Sequence, residues 1–294
     1  MISVYPLQGI GSLSTSTMVH WEGTRFILDC GPGTMTEIWR RGLRLRGLAA
    51  VLISHAHLDH LWGLVPLLWF LNQRDWSHQI RLVYPTAIDA SIRQLVRVSG
   101  ELDFIKFHPI TPDSKSMKIK KLTIQAFGVN HPSPSCGFTI SDSLKPQLDT
   151  AKLEAEGIPK SQWGNLAQDK SVQFKSKRVD PRDYLLPPRN RKIVYTGDTG
   201  PTPHLQKTVL NADLLIIDAS WVYPQWAPPE EAPHLTLRQA FEIFHLGNVK
   251  RVLLTHLTTR VSLDDYHKVI EELQQEFKTR ASVYLPTEEK IEFD

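Results

Sequence analysis

The chain has few cysteines, no long apolar run and little excess charge. Its two cysteines among 294 residues, Cys30 and Cys136, lie far apart, which argues against a disulfide framework and for a reducing compartment. Its longest apolar run, residues 61–71, is too short to span a bilayer. The first residues lack the layout of a signal peptide. The net charge of +3 neither proves nor opposes a nucleic-acid partner. We expect a cytoplasmic protein that has no contact with a membrane.

The periodicity of the remaining sequence predicts an α/β fold. Apolar stretches of strand length, such as residues 48–53 and 251–254, alternate with amphipathic stretches of helical length, such as residues 263–277. Residues 118–126 are predicted as one strand. Alternation in both halves of the chain indicates a layered α/β architecture.

Residues 141–192 depart from this alternation. They have weak periodicity and several prolines, and they carry 11 Lys/Arg against 7 Asp/Glu. Two interpretations stay open: a solvated surface excursion, or a projecting arm that grips a polyanion. We therefore predict a single domain over residues 1–294 with an inserted arm at about 141–190.

Residues 54–60, Ser-His-Ala-His-Leu-Asp-His, place three imidazoles and one carboxylate directly after a buried strand. These groups are the usual ligands of zinc where a site stays open to water and substrate. A solvated loop rich in histidine is the alternative. The spacing favours a metal site with His55, His57, Asp59 and His60 as ligands.

Further ligand-type residues lie in turns beside other predicted strands: His131, Asp198 and His256. Asp29 ends the third strand, where it could orient a metal-bound histidine. Each of these positions is a weak signal by itself. Together they supply enough ligands for two metal ions that share one carboxylate, an arrangement that suits displacement at phosphorus.

The ordered set of seven ligands resembles the signature of the metallo-β-lactamase superfamily, over nearly the whole chain. The resemblance implies a four-layer αβ/βα sandwich with two Zn²⁺ ions, or Mn²⁺ or Fe in their place, at the rim where the sheets meet. It implies one metal held by His55, His57, His131 and Asp198, and another held by Asp59, His60, Asp198 and His256.

Within the superfamily the chain resembles the ribonuclease Z family, which removes the 3′ trailer from precursor tRNA. The segments that carry this resemblance are residues 153–159, 163–166, 192–199, 233–236 and 255–260. The resemblance implies that Asp59 and His234 are catalytic, that Asp218 assists His234, and that Arg260 binds a substrate phosphate. It also implies an RNA partner and a homodimer.

The sequence departs from the family's pattern in three places. Lys160-Ser161-Gln162 replaces a glycine–proline pair, the loop at residues 9–17 is short, and Asp218 stands where the family usually carries Glu. Because Asp is one methylene shorter, we expect its pair with His234 to need a small backbone shift or a bridging water. A hydrolase of small phosphodiesters, a thioesterase or mono-iron dioxygenase, and a non-catalytic nucleic-acid-binding protein remain as alternatives.

Overall fold

The structure is a computed structural model that describes residues 1–8, 14–143, 147–186, 190–223 and 233–294. Residues 9–13 of the predicted short loop therefore lie outside the described residues. The chain forms two compact units, one made of residues 1–140 and 192–294 and the other of residues 141–191. Within the described residues, no helix has the length and apolarity that crossing a bilayer requires.

Strands and helices alternate along most of the chain. The strands are β1 (Ile2–Pro6), β2 (Ser16–Trp21), β3 (Thr24–Cys30), β4 (Leu48–Leu52), β5 (Ile80–Pro85), β6 (Ile105–Ile110), β7 (Met117–Ile119), β8 (Leu122–Gly128), β9 (Cys136–Ser143), β10 (Val172–Phe174), β11 (Lys177–Val179), β12 (Asn190–Tyr195), β13 (Leu214–Asp218), β14 (Arg251–Thr255), β15 (Ser282–Tyr284) and β16 (Ile291–Phe293). The helices are α1 (Thr34–Arg40), α2 (Leu58–Leu61), α3 (Leu64–Asn72), α4 (Asp89–Val98), α5 (Thr150–Ala155), α6 (Lys160–Ala167), α7 (Pro203–Val209), α8 (Leu237–Leu246) and α9 (Leu263–Phe277).

The larger unit is built on two seven-stranded sheets. The first has the order β16-β1-β2-β3-β4-β5-β6 and the second β15-β14-β13-β12-β9-β8-β7. Strands β3 to β6 are parallel to one another, and so are β12 to β15. Parallel strands buried on both faces need apolar side chains at nearly every position, which explains sequences such as that of β4.

Successive residues of the central strands enter different cores. Ala50 and Leu52 pack between the two sheets, where side chains from both sheets meet. Val51 and Ile53 instead pack against the outer helices α3 and α4. A second outer core joins β13 and β14 to α7, α8 and α9. The layer order is therefore helix, sheet, sheet, helix, and the predicted four-layer αβ/βα fold is confirmed.

One part of the predicted secondary structure is wrong, and one segment without a prediction is structured. The strand predicted over residues 118–126 is the hairpin of β7 and β8, which reverses at Lys120, a residue with φ of 53°. The weakly periodic segment contains α5, α6 and the hairpin of β10 and β11. These elements surround a small core of their own that includes Leu153, Leu166 and Tyr184.

Candidate metal centre

Most of the predicted site residues lie at or just beyond the carboxyl ends of parallel strands in both sheets. In the first sheet, β4 runs into residues 54–57 and the single turn of α2. In the second, β13 ends at Asp218, and β12 and β14 lead to Asp198 and His256 in the turns that follow. His131 instead follows β8, which pairs antiparallel with β7. Ligand sites form at this end of open α/β sheets because the loops there converge. The sandwich therefore brings turns from two sheets to one site.

The structure brings together the seven predicted ligands in two adjoining groups. Within each group, one nitrogen or oxygen atom per residue lies within 4.8 Å of the others. The first group contains His55, His57, His131 and Asp198, and the second contains Asp59, His60, Asp198 and His256. Asp198 belongs to both, and its Oδ1 and Oδ2 lie 3.2 Å from His60 Nε2 and His256 Nε2 respectively. This is the division of ligands that the resemblance implies.

Several polar atoms at the centre of the site lack a hydrogen-bond partner among the described residues: His55 Nε2, His60 Nε2, His131 Nδ1 and Asp198 Oδ1. Two of them, His60 Nε2 and Asp198 Oδ1, are 3.2 Å apart without the alignment of a hydrogen bond. Each unpartnered buried polar atom costs about 1–3 kcal/mol. Cations in the two ligand groups, bound by imidazole and carboxylate, would satisfy these four atoms, so the residues fit divalent metals.

The electrostatics of the site also favour cations. Burial opposes charge on Asp198, but His256 and His60 hold the pKa of its carboxyl well below the usual range. Burial likewise opposes charge on His256, yet Asp198 and the hydrogen bond to Asp59 raise its pKa to about 9. Without metal, the carboxylates thus draw protons onto neighbouring imidazoles. Metal binding would have to displace such protons.

In the first ligand group, the pKa values of two imidazoles are lowered and not raised. Burial, with His60 close by, lowers the pKa of His55 to about 2. Burial also lowers the pKa of His131, to about 4. Both imidazoles are therefore neutral at physiological pH, the form in which histidine binds metal.

Asp29 lies behind the ligands and fixes His60. Its carboxylate accepts hydrogen bonds from the Ser54 backbone N–H and hydroxyl, each at 2.6 Å, and contacts His60 Nδ1 at 2.6 Å. Tyr195 also donates its hydroxyl to this carboxylate. With Nδ1 bound to Asp29, His60 presents Nε2 to the ligand group. Sequence reasoning identified Asp29 but missed Tyr195.

Asp218 and His234 form a direct pair beside the ligands. His234 Nδ1 lies 2.6 Å from Asp218 Oδ2, so the pair needs no bridging water. Burial disfavours the charged imidazole, but the hydrogen bond and charge of Asp218 raise the pKa of His234. The His234 ring stacks on that of His256, with 4.7 Å between centroids and 7° between planes.

Ser220 links this pair to the metal ligands, and sequence reasoning missed it. Its Oγ lies 2.6 Å from Asp218 Oδ1 and 2.7 Å from His256 Nδ1. No sequence pattern marks this serine. Arg260 lies outside both ligand groups and is exposed, with its guanidinium 5.1 Å from the centre of the Trp221 ring.

The sequence is similar to a known domain family and to curated ribonucleases. The sequence model of the beta-lactamase superfamily domain matches residues 24–257. Ribonuclease Z of Archaeoglobus fulgidus is 31% identical over 275 residues, covering 90% of this chain and 88% of the relative. Ribonuclease BN of Proteus mirabilis is 29% identical over 256 residues, covering 84% and 83%.

Solved structures share the fold. The human tRNase Z short form superposes with a TM-score of 0.67 at 21% identity and full coverage of both chains. A metallo-β-lactamase fold protein from Bacillus subtilis gives a TM-score of 0.68 at 17% identity, covering 97% of this chain and 95% of its own.

Proposed function

The chain belongs to the metallo-β-lactamase superfamily and, within it, to the ribonuclease Z family, and we propose that it removes the 3′ trailer from precursor tRNA. It is a metal-dependent hydrolase. The observation that carries the proposal is the pair of ligand groups sharing Asp198, beside the Asp218–His234 pair. Metal-assisted phosphodiester hydrolysis uses cations that offset the charge of the phosphate and a proton donor for the leaving oxygen.

We propose two Zn²⁺ ions as the cofactors, one in each ligand group. Imidazole and carboxylate ligands without cysteine suit zinc and also allow Mn²⁺ or Fe. When bound, such ions make solvent a stronger nucleophile at neutral pH and offset phosphate charge. Burial opposes the charge of Asp59, but the His256 and His60 imidazoles, whose Nε2 atoms lie 3.5 and 3.2 Å from its Oδ2, lower the pKa of its carboxyl and keep it ionised. Asp59 is also the proposed acceptor of the proton of the attacking water.

His234 is the proposed proton donor. Its raised pKa keeps a proton available near neutral pH, and Asp218 orients the ring by holding Nδ1. As water attacks phosphorus, the bond to the 3′ oxygen breaks and that oxygen takes the proton from His234 Nε2. The products are a tRNA with a 3′-hydroxyl and a trailer with a 5′-phosphate. Arg260 is proposed to bind a phosphate oxygen of the substrate.

Residues 141–191 are the proposed tRNA-binding arm. Residues 141–190 still carry more Lys and Arg than Asp and Glu. Several of these cations, such as Lys152, Lys170 and Arg178, are exposed. Exposed cations bind the RNA backbone without reading its sequence. This is consistent with a substrate recognised by shape.

The proposed assembly is a homodimer. Leu58 begins α2, Trp62 directly follows that helix and Trp69 lies on α3, and these side chains are 62%, 54% and 55% exposed. Exposed large apolar side chains that cluster on a surface mark interaction sites. A second copy of this chain is the proposed occupant.

Cleavage of a trailer-bearing precursor tRNA by the purified protein, with mapping of the new 3′ end, tests the proposal. His234→Ala should lower turnover by about 10² or more, as for loss of a general acid, with metal content unchanged. His204→Ala, which removes an exposed histidine at the start of α7, is the matched control.

Bis-p-nitrophenyl phosphate separates this function from the hydrolysis of small phosphodiesters. Turnover of that dye ester with an intact precursor tRNA would favour the small-substrate enzyme. Wild-type turnover of precursor tRNA by His234→Ala would remove the assigned proton donor.

A further inference from the structure

A polar cavity lies at the end of the first sheet opposite to the candidate metal centre. It has a volume of roughly 630 Å³ and lies beside the β2–β3 turn, the start of β4 and β5, and the β7–β8 turn. Leu48, the first residue of β4, lines it, whereas His55 follows the last residue of that strand. At about 3.3 Å per residue, the cavity lies on the order of 20 Å from the metal centre. It is therefore a separate site.

The lining of this cavity is strongly cationic. Arg25, Arg46, Arg81 and Lys120 contribute four permanent positive charges, and the twelve lining residues include no Asp or Glu. Within the part of the chain that the structure describes, none of these four side chains lies within 4 Å of a carboxylate. The whole chain has a net charge of only +3. Positive charge is therefore concentrated at the cavity, whereas positive and negative charges nearly balance over the remainder of the chain.

Strand register produces this concentration. Arg25 lies opposite Leu48 across β3 and β4, and Arg81 lies opposite Ala50 across β4 and β5. Arg25 also donates to the backbone carbonyl of Arg46, which fixes that guanidinium at the cavity. Burial and the neighbouring Arg44 lower the pKa of Arg25. Burial and Arg25 lower that of His20 as well.

Crowded cations repel one another, and this repulsion disappears when an anion binds between them. We propose that this cavity binds a free, nucleotide-sized molecule that carries two or more adjacent phosphate groups. Its volume lies within the range of about 300–1,000 Å³ usual for small-ligand sites. The cations bind the phosphates, while the His20 and His78 rings with Leu48 and Ile119 offer flatter, less polar surface to the rest of the ligand. Because the cations meet at one recess, they suit a compact ligand better than a long RNA backbone.

Calorimetric titration of the full-length protein with ATP, and separately with inorganic tripolyphosphate, tests the assignment. We expect one salt-sensitive binding event per chain at the cavity. Arg81→Gln and Lys120→Gln should each weaken it about tenfold or more, as for loss of a charged hydrogen bond, and the double variant should weaken it further. His131→Ala should leave this event unchanged, because His131 belongs to the metal centre.

Arg97→Gln is the matched control, because it removes one exposed arginine from α4 away from the cavity. Thermal melting of each variant shows whether it is folded. Equal affinity of the wild type and the double variant for both probes would overturn the assignment. So would loss of binding in His131→Ala alone. If the double variant bound precursor tRNA more weakly while the wild type bound neither probe, the cavity would be an RNA contact and not a small-ligand site.

Discussion

Ser220 connects the candidate proton donor to the candidate metal centre, and its hydroxyl gives a sharp test of the site. The hydroxyl has one proton, and a carboxylate can only accept. It therefore donates to Asp218 Oδ1 at 2.6 Å and accepts from His256 Nδ1 at 2.7 Å. Once its Nε2 proton is displaced, His256 keeps the proton on Nδ1 and presents an Nε2 lone pair on the side of Asp198 and Asp59. Ser220 thus sets the tautomer that a metal ligand requires.

Ser220→Ala removes both hydrogen bonds, and the size of the effect can be worked out in two ways. A hydrogen bond to a charged group contributes about 1.5–3 kcal/mol. Loss of the partner behind a metal-bound histidine weakens metal affinity about 10- to 100-fold, which corresponds to about 1.4–2.8 kcal/mol. The two values agree. Because His256 lies in the ligand group of Asp59 and His60 and is absent from that of His55, His57 and His131, one metal equivalent should weaken by this factor and the other should change little.

Titration of Zn²⁺ against a chromophoric chelator resolves the two equivalents. Ser220→Thr keeps the hydroxyl and should retain most of the affinity. Ser99→Ala is the matched control, because Ser99 is also buried and donates to the Val65 carbonyl outside the site. Two equivalents bound to Ser220→Ala with wild-type affinity would refute the reasoning.

Three other variants address the proton donor, the buried Asp142–Arg191 pair and the proposed dimer. Asp218→Asn keeps the shape of the pair but removes the charge that raises the pKa of His234; since the acid form is lost as pH rises through that pKa, the basic limb of the pH–rate profile should move to lower pH, and an unmoved limb would contradict the assignment. Asp142→Ala removes the bidentate hydrogen bonds that the buried Arg191 donates to Asp142, and should lower the free energy of unfolding by about 1.5–3 kcal/mol in chemical denaturation, as for hydrogen bonds between charged groups. Asp180→Ala, which breaks the exposed pair with Arg182, should change the free energy of unfolding little. Trp62→Ser combined with Trp69→Ser should shift the protein to monomer in sedimentation, whereas Leu246→Ser, at another exposed apolar position, should not; an unchanged assembly would place the interface elsewhere.

The parts of the site that could be predicted from sequence are those whose residues are neighbours in the chain or follow strands of clear pattern. The spacing of the histidines and the aspartate in residues 54–60 predicts a metal site directly. Ser220 does not, because its role depends on the pairing of β13 with β14, which sets Asp218 opposite Thr255. That register brings Ser220, two residues after Asp218, beside His256, the residue after Thr255. No property of the serine itself shows this.

The same limit applies to the fold. The β7–β8 turn has no glycine, proline or asparagine, so the alternating pattern runs through Lys120 without a break. Helices α5 and α6 have six and eight residues, shorter than the window in which helical periodicity can be recognised. Asp149 caps the first of them by accepting from the Lys152 N–H. Their stability depends on packing around Leu153 and Leu166, a tertiary effect that local pattern does not reveal.

Two residues of the candidate site have a strained backbone conformation. Asp29 and His256 have φ of 52° and 57°, and each lies at the carboxyl end of a strand. This left-handed conformation is costly for residues other than glycine, by about 1 kcal/mol or more. Glycine would relieve that cost at either position, but it would leave His60 without its carboxylate or the second ligand group without its imidazole. Glycine at these positions should therefore reduce strain in the free protein while it abolishes the arrangement that holds a metal. At position 29 the relief of strain would also be opposed by loss of the hydrogen bonds that Ser54 and Tyr195 donate to Asp29.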